Sequence, residues 1–130
     1  MSADELENLT RQMMADFDAL DIKAMIARMS EDVQGVDEIS RRWLRGPAAV
    51  QEYFGQLEGA VTDVSSTVSD LHAIDRGDVG IVTCMVDQSY RFGGQPVEVT
   101  APMTVIFVRE PSEWKVALVS AVPLGDEPGE

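Results

Sequence analysis

Few residues in this sequence could carry chemistry, and their spacing limits what that chemistry is. His72 is the only histidine. Imidazole changes charge near neutral pH, so His72 is a candidate base. It shares strand parity with Val64, Val68 and Ile74, and Asp70, two residues earlier, lies on the same face and could orient it. The competing reading is a histidine placed for packing. Arg41, Arg42 and Arg45 cluster around Trp43 and could grip an acidic group bidentately, or pair with surface acids. Cys84 is the only cysteine, so no disulfide forms within the chain, and its mid-strand position suits a buried, inert thiol. One His and one Cys are too few for a zinc site, and no Asp pattern makes a calcium loop. No glycine-rich phosphate loop and no nucleophile motif is present. Arg76-Gly77-Asp78 reads as a hairpin turn.

Charge narrows the partners. Ten Lys and Arg face 23 Asp and Glu, a formal net charge of −13. Nucleic-acid affinity comes from basic side chains on phosphates, so nucleic acid is excluded as an expectation. An anionic membrane surface is disfavoured on the same ground. No apolar run approaches ~20 residues, so no transmembrane helix is expected. The acidic start, Met1-Ser2-Ala3-Asp4-Glu5, lacks the pattern of a secretory signal, and the expected location is the cytoplasm.

The elements that must position these residues are legible from periodicity. The chain has 130 residues, 45% of them apolar, which suits one domain over residues 1–124 with an acidic, flexible tail over 125–130. Leu6, Leu9, Met13, Phe17 and Leu20 fall on one helical face. Ser2 and Glu5 have capping-box spacing. Asp21 can cap a short second helix with a stripe of Ile22, Met25, Ile26 and Met29. Residues 31–40 are extended, and a short strand surrounds Trp43 and Leu44. Gly46-Pro47 starts a third helix with Val50, Phe54 and Leu57 on its apolar face, ending at Gly59. Strands then follow over about 62–74, 79–92, 97–108 and 114–122, with turns at 75–78, Gly93-Gly94 and Pro111-Ser112. Helices followed by a long meander suggest an α+β fold, with the helices covering one face of the sheet. The late strands are apolar on both faces, so a homodimer is expected to cover the side the helices leave open. Met13, Met14, Met25 and Met29 would roof a pocket, and Trp43, Tyr53, Phe17 and Tyr90 are candidate liners, against the simpler reading of core packing.

The order and several segments resemble the nuclear transport factor 2-like superfamily, in its bacterial SnoaL-like and ketosteroid-isomerase-like branch. The segments are Phe17-Asp18-Ala19-Leu20-Asp21, Met25-Ile26-Ala27-Arg28-Met29, Glu31-Asp32-Val33, the stretch from Arg45-Gly46-Pro47 to Tyr53-Phe54, and Phe107-Val108-Arg109-Glu110 with Trp114-Lys115-Val116. The resemblance covers about residues 5 to 124. It implies an α+β cone, a curved antiparallel sheet with three N-terminal helices enclosing a pocket, and frequent dimers. The family holds isomerases, cyclases, epoxide hydrolases, dehydratases, ligand binders and oligomerisation domains, so fold alone leaves function open.

Counted back from Gly46, Asp37 falls where the isomerases carry their proton-shuttling aspartate. A carboxylate in an apolar pocket can move a proton from a carbon beside a carbonyl. The competing reading makes Asp37 and Glu38 solvated loop carboxylates. The isomerases' enolate-stabilising tyrosine and aspartate correspond to Met13 and Thr104. Met13 donates no hydrogen bond and Thr104 is a weak substitute. The resemblance therefore implies a small-molecule enzyme other than an efficient steroid isomerase. It would act on a hydrophobic carbonyl or polyketide-like compound without a cofactor. An apolar-ligand binder and a self-association domain are the alternatives.

Overall fold

The computed structural model describes residues 2–123. Two helices come first, α1 (Ser2–Asp18) and α2 (Ile22–Ala27), and a third, α3 (Pro47–Leu57), follows two strands. The strands are β1 (Met29–Asp37), β2 (Leu44–Arg45), β3 (Val61–Asp75), β4 (Val79–Phe92), β5 (Gln95–Arg109) and β6 (Trp114–Ala121). They form one curved, unclosed sheet in the order β2-β1-β6-β5-β4-β3. The tail expected over 125–130 lies outside the described residues, and the Ser2 side chain is likewise not described. No helix of the described residues is long and apolar enough to cross a membrane.

Alternation builds the sheet's inner face. Val82, Cys84, Val86 and Tyr90 of β4 are buried, as are Ala101, Met103, Val105 and Phe107 of β5. Register sets them opposite one another, with Val82 against Val105 and Cys84 against Met103. Each fully buried large side chain of this kind stabilises the fold by about 1.5–3 kcal/mol. The helix α1 packs Leu6 onto this face, directly over Gly80. A Cβ at Gly80 would lie 2.7 Å from one Leu6 methyl and 2.8 Å from the other. Glycine is thus what lets the helix approach the strand. Thr10, fully buried in α1, returns its hydroxyl to the Leu6 carbonyl at 2.9 Å, so no donor is left bare.

The sheet departs from the expected antiparallel meander at one pairing. β1 runs parallel to β6, with Gly35 opposite Val119 and Asp37 opposite Ala121. The helix α2 also ends earlier than its apolar stripe. Asp21 caps it through Ala24 N–H at 3.1 Å, but Met29, the stripe's last member, is already the first residue of β1. The Arg28 carbonyl accepts from Val116 N–H at 2.8 Å, which draws the chain into the sheet at that point.

Candidate functional site

The helices do not fill the space above the inner face. A cleft of ≈ 130 Å³ remains between α1, α2 and α3 and strands β1, β4, β5 and β6. Five of the chain's seven methionines line it: Met13, Met14, Met25, Met29 and Met103. Phe17 and Phe54 close one side, edge to face at 5.7 Å. The polar side chains on its wall are Gln34, Asp37, Glu38 and Gln88. Among the described residues, no Lys, Arg or His lines it. A smaller chamber adjoins it, reached past Glu38, Gln88, Phe17 and Phe54, and lined further by Leu57, Val64 and Tyr90.

Asp37 ends β1, and the turn that follows folds back onto its carboxylate. Oδ1 accepts from Ile39 N–H at 3.0 Å and from Ser40 N–H at 2.8 Å. The Tyr53 hydroxyl of α3 donates to the same oxygen at 2.9 Å. The Ser40 hydroxyl accepts from the Asp37 N–H at 3.1 Å, closing the turn. Three donors on one oxygen fix the carboxylate's orientation, while among the described residues none donates to Oδ2.

Glu38 lies beside it on the wall of both chambers. Burial pushes its carboxyl above the usual range and the Asp37 charge adds to this, while a hydrogen bond from the Tyr90 hydroxyl pulls partly back. Burial pushes the Tyr90 phenol up to about 12, helped by the charge and hydrogen bond of Glu38. Burial raises Tyr53 too, reinforced by the charge of Asp37 and the bond to it. Both tyrosines therefore remain protonated donors near neutral pH. Two carboxylates, each near a buried phenol, sit on the wall of a largely apolar cleft.

Of the residues expected at the site, Asp37, Phe17, Met13, Met14, Met25 and Met29 line the cleft and Tyr90 lines the smaller chamber, while His72, Thr104, Trp43 and Tyr53 are placed differently. His72 is exposed, with 77% of its side chain accessible, and its contact with Asp70 at 3.6 Å joins two exposed groups. The reason is a break in strand parity. The β3 register shifts between Ser69 and His72, where Asp70 takes a φ of 52°. Beyond that bulge Leu71 and Ala73 turn inward, and His72 and Ile74 turn out. Thr104 points to the outer face, opposite Thr83 and Ser120, because its neighbour Met103 takes the inward position. Trp43 is 43% exposed; the next residue, Leu44, is the one that enters the cleft wall. Tyr53 is buried but lies behind the wall, which α3 presents through Val50 and Phe54. Sequence reasoning passed over Gln34 and Gln88. Gln88 had a signal, as the polar member of the inward row Val82, Cys84, Val86 and Tyr90. Its amide donates to the Ser66 hydroxyl at 2.9 Å, which donates to Asp18 at 2.6 Å.

Residues 6–121 match the SnoaL-like domain family, and the chain belongs to it, within the nuclear transport factor 2-like superfamily. No curated relative matches the chain in sequence. A proposed dehydratase of the nuclear transport factor 2-like family from Streptomyces avermitilis superposes with a TM-score of 0.85 at 18% identity, over 96% of this chain and 97% of that one. A ketosteroid isomerase-like protein from Erwinia carotovora atroseptica gives 0.78 at 14% identity, over 92% and 94% of the two chains. A proposed calcium/calmodulin-dependent protein kinase II association domain from Xanthomonas campestris gives 0.81 at 10% identity, over 95% and 88%. At these identities the likeness is one of fold.

Proposed function

We propose that this protein is a cofactor-independent enzyme that moves a proton within a small hydrophobic carbonyl or polyketide-like substrate, in an isomerisation, cyclisation or dehydration. Asp37 is its general acid/base. The observation that carries this reading is the Asp37 carboxylate at the wall of a methionine-lined cleft, one oxygen held by three donors and the other facing no donor among the described residues. In the proposed step Oδ2 takes a proton from the carbon next to the carbonyl, and the C–H electron pair passes into an enolate. The same oxygen then returns the proton to carbon. Orientation of a base is worth much in such a step, because a positioned group reacts without first being ordered.

The lining also bears on substrate class. Two carboxylates and no cation among the described lining residues disfavour an anionic substrate. A neutral ring or chain with one carbonyl suits the methionine wall, which adapts to irregular apolar shapes. Met13 on the roof offers no hydrogen bond to an enolate oxygen, so steroid isomerisation is not the reaction proposed. The test is a thermal-shift panel of apolar ketones, enones, polyketide fragments and epoxides on wild type and Asp37→Asn, followed by product analysis of every hit. A ligand at ~100 times its Kd adds about 2.7 kcal/mol. Hits that bind both proteins and are turned over by neither make the cleft a carrier site and end the enzymatic reading.

Self-association is proposed alongside. Ile81, Met85, Ile106 and Leu118 form an apolar cluster on the outer face of the sheet and are only partly buried within one chain. A second copy of the chain would cover them. Sedimentation equilibrium is expected to give a dimer, and Ile106→Glu a monomer.

A further inference from the structure

We propose that Glu38, which shares the smaller chamber with Tyr90, is a second proton-carrying residue, which protonates the substrate carbonyl oxygen while Asp37 takes the proton from carbon. This rests on the reading of the cleft as a proton-transfer site. The geometry that carries it is the pairing of adjacent carboxylates with two separate phenols. Asp37 is bound by Tyr53 from α3, Glu38 and Tyr90 of β4 line the smaller chamber together, and both carboxylates line both chambers. The two environments differ in kind. Asp37 has one oxygen saturated by a turn and a phenol, which suits a fixed base. Glu38 has one phenol and a desolvated carboxyl, which favours the protonated form and suits an acid.

The charges around Glu38 are few. Asp37 lies next to it at the end of β1, Tyr90 of β4 lines the same chamber, and Tyr53 bonds Asp37. Arg41 donates only to the Glu38 backbone carbonyl, at 3.2 Å. Among the described residues no Lys, Arg or His lines either chamber, so nothing there holds Glu38 ionised by opposite charge.

The step balances without a further reagent. Asp37 Oδ2 accepts the proton from carbon, and the released electron pair forms the carbon–carbon double bond. The carbonyl π pair moves to oxygen and takes the proton from Glu38, giving a neutral enol and a Glu38 carboxylate. Collapse of the enol reverses both transfers: the oxygen's proton returns to Glu38, and Asp37 delivers its own to carbon. The phenol of Tyr90 stays intact throughout and serves as the positioning residue, steadying the Glu38 carboxylate that appears midway. This supplies the missing electrophile at a wall where Met13 supplies none.

Cyclohexenone is a suitable probe, a single neutral ring that matches a cleft of this size. Its hydrogen–deuterium exchange in heavy water, followed by proton NMR across pH, reads the step directly. Wild type is expected to exchange faster than buffer with a bell-shaped profile. Glu38→Gln should lose about 100-fold in rate, along with the limb that falls as pH rises. Tyr90→Phe should retain exchange but move that limb to higher pH, because the bond that favours the Glu38 carboxylate is gone. A purely structural Tyr90 would leave the profile unmoved. Exchange that requires Asp37 but proceeds at the wild-type rate and profile in Glu38→Gln overturns this proposal alone. No exchange by wild type overturns the proton-transfer reading and this proposal with it. If Glu38→Gln fails to fold, the unmoved limb in Tyr90→Phe is the overturning result.

Discussion

The Tyr53 hydroxyl donates to Asp37 Oδ1 at 2.9 Å, tying the middle of α3 to the end of β1. This bond adds a third donor to the two that the Asp37 turn supplies from its own backbone. Tyr53→Phe removes it and leaves Oδ1 with two backbone donors. The expected cost in urea unfolding is about 0.5–1.5 kcal/mol. Asp37 loses its fixed orientation in the same variant, so any turnover should fall more than ligand affinity does.

Alkaline pH should weaken the fold through the same tyrosines. Both phenols are raised above the ordinary value of about 10. The folded chain keeps protons that the unfolded chain releases, so this stabilisation is complete below about pH 10; the Tyr90 share is lost as pH rises through about 12, and the Tyr53 share persists to higher pH. Urea midpoints measured at about pH 9 and about pH 11 should fall between the two, and Tyr90→Phe should flatten the fall.

Glu38 contributes with the same sign in acid. Its folded carboxyl is raised from 4.5, so the stability it contributes is full below about that pH and is lost as pH rises through the folded value. Glu38→Gln, which still accepts from Tyr90, should gain on wild type over that window in thermal melts, with no gain below it.

Gly80 tests the seating of α1. With Leu6 fully buried, its methyls have little room to yield to a new Cβ at 2.7 Å. Gly80→Ala should cost about 1–3 kcal/mol in denaturant unfolding. Leu6→Ala combined with Gly80→Ala should cost less than the sum of the two single variants, since the two positions share one contact.

His72 provides the contrasting case. It lies exposed on the outer face of β3. His72→Gln should change stability by no more than about 0.5 kcal/mol and should leave ligand binding and any turnover unchanged in parallel assays.

Sequence pattern reached the elements further than the site. The β4 bounds of 79–92 were readable because turn residues flank it on both sides, Asp75 to Asp78 and Gly93-Gly94. The start of α3 was readable from Gly46-Pro47, and Gly46 indeed takes a φ of 87°. The parallel pairing of β1 with β6 was not, because nothing local in Val33-Gln34-Gly35 specifies a partner some eighty residues away. Which side chains face the cleft depended on phase. The bulge at Asp70 inverted His72, and the phase of β5 put Met103 rather than Thr104 inside. A bulge shifts strand phase by one residue and leaves no hydrophobic trace, only an aspartate that tolerates positive φ. Asp37 was reached through family resemblance. Its turn, its bond to Tyr53 and its pairing with Glu38 became visible only in three dimensions.

The most direct test of the central claim is the rate of cyclohexenone hydrogen–deuterium exchange by wild type and by Asp37→Asn, with probe binding measured on both. The expected result is a loss of about 100-fold or more in exchange, with affinity changed only slightly. Equal exchange rates in the two proteins would contradict the account, because proton transfer would then not pass through Asp37.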